Sequence, residues 1–179
     1  MTEFIVTAVG KDRPGIVAAV TRVLLKTGSN IEDSSMTLVR GSFAIILSLA
    51  APEKLTQRRL LGLLLPLKRS MGLSFTVAKS AVKSAPKLEH SVHALLSVYG
   101  ADKPGIVHKV TKVLAKDKVN ITQVNTRLVE DLKRPIYVMV LELDIPRQAG
   151  FGKVQRALKA LGKEIGIDIT LRRHDVVEF

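Results

Sequence analysis

No cysteine and no tryptophan occur among the 179 residues, and only 2 Tyr and 5 Phe are present. Without thiols there is no disulfide, no thiolate nucleophile, no thiolate metal site and no dithiol redox chemistry. Aromatics at 4% leave little from which to build the stacking platforms that single-stranded nucleic acids use. No apolar run approaches the roughly 18 residues that a bilayer span needs. The opening MTEFIVTAVGKDRPG is acidic at position 3, and its apolar run is too short for a secretory signal. A soluble, cytoplasmic protein with no membrane partner is expected. The 4 histidines, His90, His93, His108 and His174, lack further ligands at metal-site spacing, and Ser91 beside His93 lacks an orienting acid at a recognisable spacing. No metal, no cofactor and no enzymatic activity are expected.

What is present is aliphatic and basic. Hydrophobic residues make up 46% of the chain, the mean hydropathy is +0.21, and 28 Lys and Arg against 16 Asp and Glu give a net charge of +12. A field of that sign attracts polyanions whatever the fold, so nucleic acid and acidic proteins both enter as partners to weigh. The cations are dispersed, and on helices such residues usually form a solvated face. Lys109, Lys112 and Lys116 recur three and four apart, as one stripe on a helix.

The stretch GKDRPGIV at residues 10–17 returns as GADKPGIV at residues 100–107. One offset of 90 positions, from Gly15 to Gly105, also aligns Val20-Thr21 with Val110-Thr111, Val23-Leu24 with Val113-Leu114, and Asn30-Ile31 with Asn120-Ile121. A period this long is a whole small domain and not a solenoid repeat. Domains over 1–80 and 91–179 are expected, with KSAVKSAPKLEHS supplying linker composition around 81–90.

Each copy opens with an apolar strand ending at the repeated turn. A helix follows, with Ile16, Val17, Val20, Val23 and Leu24 at helical spacing and Gly28 placed to end it. A hairpin comes next, turning at Arg40-Gly41-Ser42 in the first copy and across a longer span over 121–145 in the second. Pro52 and Pro146 then introduce a second helix, which Leu65-Pro66 is expected to end in the first copy. Last strands fall at 73–79 and 167–173. The order β-α-β-β-α-β, twice, predicts an α+β protein of two ferredoxin-like domains whose antiparallel sheets carry both helices on one face. The third strands are apolar on both parities, with Ile46 opposing Phe43, Ile45, Leu47 and Leu49. Packing of the copies on each other, or homodimerisation, would cover the second face.

At Asp12-Arg13-Pro14-Gly15 a strand gives way to a helix, whose free N–H groups and positive dipole end favour a carboxylate. Gly15 is expected to admit a ligand where a Cβ would obstruct it. Asp12 can accept from the helix N-terminus or from a ligand ammonium, and Asp102-Lys103-Pro104-Gly105 repeats the pattern. The plainer reading is a stiff helix-entry turn with a capping aspartate. Asn30 and Asn120, read as lying at the same end of the sheet as the turn, would complete a small polar pocket.

DRPGIV and DKPGIV after a strand, each followed by Asn-Ile at the next strand, resemble the ACT domain, a regulatory module that commonly binds amino acids between paired copies. NIEDSSM at residues 30–36 is more narrowly similar to the tandem-ACT transcriptional repressors of the glycine cleavage type, and NITQVNTRL in the second copy lacks the Glu-Asp-Ser-Ser segment. The resemblance implies one ligand loop at Asp12, Arg13, Pro14, Gly15 and Ile16 with Asn30, and another at Asp102, Lys103, Pro104, Gly105 and Ile106 with Asn120. It implies that an amino acid bridges the loop of one domain and the second strand of its neighbour. A small amino acid, glycine or serine, is the ligand it suggests, and another regulatory protein the partner, with no direct DNA contact. Two other readings stay open: a basic ferredoxin-like nucleic-acid binder, and the regulatory part of an amino-acid or one-carbon metabolic enzyme.

Overall fold

The computed structural model describes residues 1–80, 91–130 and 135–174. The chain falls into two compact units, Met1–Ala85 and Pro86–Phe179. The linker expected at 81–90 lies outside the described residues.

Unit 1 runs β1 (Thr2–Lys11), α1 (Ile16–Lys26), β2 (Asn30–Val39), β3 (Ser42–Ala51), α2 (Gln57–Met71) and β4 (Ser74–Lys79). Its antiparallel sheet has the order β2-β3-β1-β4. Unit 2 repeats this with β5 (Ser91–Ala101), α3 (Ile106–Lys116), β6 (Asn120–Val129), β7 (Ile136–Pro146), α4 (Phe151–Ile165) and β8 (Asp168–Arg173), in the order β6-β7-β5-β8. The last strands begin one residue later than the pattern suggested. Both units are therefore the expected ferredoxin-like β-α-β-β-α-β arrangement.

Strand alternation places Phe4, Val6 and Ala8 of β1, and Phe43, Ile45, Leu47 and Leu49 of β3, in one core with Ile16, Val20 and Leu24 of α1 and Leu60 and Leu64 of α2. Unit 2 builds its own core in the same way, from Leu96, Met139, Leu141, Val110, Leu114 and Leu158 among others. At roughly 25 cal/mol per Å² of apolar area removed from water, these aliphatic layers are the main stabilising term of each unit. On the other sheet face of unit 1 Ile46 is 53% exposed.

The hairpin turn forms where Gly41 placed it. Arg40 and Gly41 have φ of 47° and 77°, so both central residues are left-handed, as a two-residue turn matched to strand twist requires. The second helices depart from expectation. α2 starts not at Pro52 but at Gln57, where the Thr56 hydroxyl accepts from the Arg59 N–H at 3.2 Å. It also continues through Pro66 to Met71. The proline ring frees the carbonyl of Gly62, and both residues are exposed, so the freed group is open to solvent while buried Leu60 and Leu64 hold the helix on the sheet. In unit 2 Pro146 leads into a short 3-10 turn, Arg147–Ala149, before α4 begins.

Candidate functional site

The repeated turn is built on a left-handed glycine. Gly15 (φ 89°, ψ −2°) and Gly105 (φ 87°, ψ 3°) are the N-caps of α1 and α3, and neither helix has a side-chain cap. Their carbonyls accept from the Ala19 and Lys109 N–H groups, both at 2.9 Å. Asp12 is thus not the capping aspartate expected, because the N-cap position falls three residues later, beyond Pro14. Its backbone N–H donates to the Gly41 carbonyl at 2.9 Å, which pins the turn to the tip of the β2–β3 hairpin. The first amide N–H groups of α1 are left without an intrahelical partner.

A cleft of about 280 Å³ opens on this turn, lined by Asp12, Arg13, Gly15 and Ile16 together with Met36 of β2 and Phe43 of β3. Ile16 is 2% exposed and Ile106 4%, so their side chains belong to the cores and only their backbone faces the turn. A Cβ on Gly15 or Gly105 would meet nothing within 4 Å. Glycine is required there by its positive φ, and the space that a Cβ would fill is open. Close approach governs Gly10 and Gly100 instead, where a Cβ would lie 2.8 Å from the Gly72 carbonyl oxygen and from Ile167 Cγ2, respectively.

Asn30 is not at this end of the sheet. It pairs with Ala50, which also faces Glu3 near the start of β1, whereas the turn follows Lys11, level with Ser42 and Val39. Eight strand residues, roughly 25 Å at about 3.3 Å each, separate the two. Asn120, paired with Asp144 opposite His93, is displaced in the same way from the turn after Ala101. The crossover helix carries the chain back along the sheet, so β2 starts level with the beginning of β1. Within one unit turn and asparagine are apart.

The two turns also differ chemically. Lys103 Nζ donates to the Ile165 carbonyl at 2.8 Å, at the C-terminus of α4. By the offset of 90 Met36 gives way to Thr126, and Tyr137, which pairs with Gly100 as Phe43 does with Gly10, replaces the phenyl ring. Burial raises the Tyr137 pKa above its ordinary value, the hydrogen bond with Thr126 opposes that, and the charge of Asp102 adds to it. Unit 2 thus surrounds its turn with hydroxyls where unit 1 has apolar groups.

His93 Nδ1 pairs with Asp144 Oδ1 at 2.5 Å across the β5–β7 register, an orienting acid that 51 positions of sequence concealed. His90 lies outside the described residues. Among those described, no three His, Cys, Asp or Glu side chains group to hold a metal, and no helix is long and apolar enough to cross a membrane. Lys109, Lys112 and Lys116 are exposed on α3.

Family models for the ACT domain match residues 2–78 and 89–163. The glycine cleavage system transcriptional repressor of Escherichia coli is 27% identical over 164 residues, covering 90% of this chain and 84% of that one. A UPF0237 protein of Methanococcus maripaludis is 35% identical over 88 residues, 49% of this chain and 93% of the relative. Among solved structures, a protein of unknown function from Galdieria sulphuraria superposes with a TM-score of 0.81 at 26% identity, over 97% of this chain and 99% of that one. A candidate glycine cleavage system transcriptional repressor shares the fold with a TM-score of 0.69 at 19% identity, over 98% of both chains.

Proposed function

The chain belongs to the ACT domain family, and from that premise we propose that it is an amino-acid-sensing regulatory protein, a repressor of the glycine cleavage type that acts through protein contacts. The observation that carries this reading is the repeated left-handed glycine turn, which leaves helix-start N–H groups uncapped beside an aspartate. A ligand carboxylate is held by those N–H groups, and its ammonium by Asp12 or Asp102. The small cleft beside Met36 and Phe43 suits glycine or serine. Because Asn30 and Asn120 lie at the far ends of their own sheets, any asparagine beside a ligand comes from outside the unit that carries the turn.

Ligand binding shifts the affinity for a second regulatory protein, to the extent that the ligand binds two states of the chain unequally. The segment over 32–36 and the Lys109, Lys112 and Lys116 stripe are the surfaces assigned to that contact, and DNA is not touched directly. Calorimetric titration of the purified chain against each of the common amino acids tests the reading. Saturable binding of glycine or serine, reduced in Asp12→Ala by loss of the unit 1 site and abolished in Asp12→Ala/Asp102→Ala, is the expected result. No heat with any amino acid, alongside DNA affinity that falls steeply with salt, would replace it by the nucleic-acid reading.

A further inference from the structure

The passage from third strand to second helix differs between the units. Gln57 Nε2 donates to the Val77 carbonyl at 2.6 Å and Gln155 Nε2 to the Leu171 carbonyl at 3.1 Å, which makes these two glutamines equivalent. α2 starts at Gln57, whereas α4 starts four residues before Gln155. From that extra turn Lys153 reaches Asp117, the C-cap of α3, whose side chain is only 9% exposed. The ion pair bridges the two helices of unit 2.

Neither partner exists in unit 1. The counterpart of Asp117 is Thr27, whose hydroxyl donates to the Leu24 carbonyl at 2.6 Å, and the extra turn is absent. A cleft of about 400 Å³ opens between the end of α1 and the start of α2, walled by Val23, Leu55 and Leu63 and carrying Lys26, Lys54 and Arg59. None of the three cations has an ion pair among the described residues. α1 and α2 contain no acidic residue. Glu53, next to Lys54, takes the amino-terminal ammonium at 3.2 Å.

We propose that this cleft binds a small organic phosphate ester. Its volume is that of a small-molecule site, and its chemistry is an apolar wall beneath three unpaired cations. A phosphate dianion accepts from ammonium and guanidinium donors together, and the apolar wall takes the organic body. A free amino acid is disfavoured, because its ammonium finds no acid here. The cleft therefore selects a class of ligand different from that of the glycine turns, and the inference stands whether or not those turns bind amino acids.

The test is calorimetric titration of the full chain with phenyl phosphate, inorganic phosphate and glycine. Phenyl phosphate is expected to bind more tightly than inorganic phosphate, and Lys26→Ala/Arg59→Ala to weaken it about tenfold or more. Thr27→Asp, which restores the acid found in unit 2, is expected to weaken it as well. Arg172→Ala, an exposed cation of β8 in unit 2, is the control and leaves it unchanged. All of these positions are at least partly exposed, and circular dichroism checks that the variants fold. Absence of binding at millimolar phenyl phosphate overturns the proposal, as does equal weakening by Arg172→Ala, which would reduce the effect to diffuse charge. Binding of a short DNA duplex that depends on Lys26 and Arg59, with none of phenyl phosphate, would give the cleft to nucleic acid instead.

Discussion

The ammonium of Lys103 donates to the carbonyl oxygen of Ile165 at 2.8 Å, joining the glycine turn of unit 2 to the last turn of α4. A cation there satisfies one of the carbonyls that a helix C-terminus leaves unpaired and meets the negative end of the dipole. Arg13, its counterpart in unit 1, lines the cleft of its own turn. Lys103→Met is therefore expected to cost unit 2 about 0.5–1 kcal/mol, read as a lower urea midpoint, while Arg13→Met leaves the midpoint within error. Equal effects would show that Lys103 is not a helix cap.

The glycines of the turn and of the preceding strand separate two kinds of constraint. Gly15→Val meets open space but must hold φ near 89°, so it is expected to destabilise by about 1–2 kcal/mol, and Gly15→Asn by less, since asparagine tolerates the left-handed region. Gly10→Ala has no such strain but places a methyl 2.8 Å from the Gly72 carbonyl oxygen, and moving backbone is expected to cost about 2 kcal/mol or more. Denaturant titration of the three variants checks the ranking. Gly10→Ala milder than Gly15→Asn would reverse it.

The repeat, the strand and helix order and the Arg40-Gly41 turn were legible in the sequence because each rests on local periodicity or on one residue's dihedral preference. What escaped it is tertiary. Pro66 reads as a helix end until the burial of Leu60 and Leu64 on either side of exposed Gly62 is known. The candidate site residues from Asp12 to Ile16 come together because they are consecutive. Asn30 does not join them, because the crossover returns the chain to the start of the sheet before β2 begins. Lys103 with Ile165 and His93 with Asp144 are 62 and 51 positions apart, and nothing in a linear pattern couples them.

Tyr137 makes stability depend on alkaline pH. Its folded pKa lies above the unfolded value through burial first, with the Asp102 charge adding and the Thr126 hydrogen bond opposing. A raised pKa means that the unfolded chain loses this proton first. The contribution is complete below about pH 10 and is lost as pH rises through the higher folded value. The stability difference between the wild type and Tyr137→Phe is thus expected to be flat up to about pH 9 and to shift against the wild type above about pH 10. A difference that stays constant to pH 11 would remove Tyr137 from the account.

If the asparagine of one copy completes the turn of another, two defective chains should repair each other. β2 is an edge strand, ten residues long and exposed along almost its whole length. Antiparallel pairing of two such edges reverses one sheet against the other, and so carries Asn30 of one copy toward the glycine turn of the second. The same reversal brings Glu32 and Asp33 of one copy toward Arg40 of the other, opposite charges that favour this register. Asp12→Ala and Asn30→Ala should each abolish amino-acid binding at unit 1. An equal mixture, unfolded and refolded together, should recover about a quarter of those sites, because about half the dimers are mixed and each holds one intact site. Binding is counted by equilibrium dialysis and dimers by sedimentation. A mixture no better than either variant alone, with the wild type sedimenting as a monomer, would exclude pairing through β2.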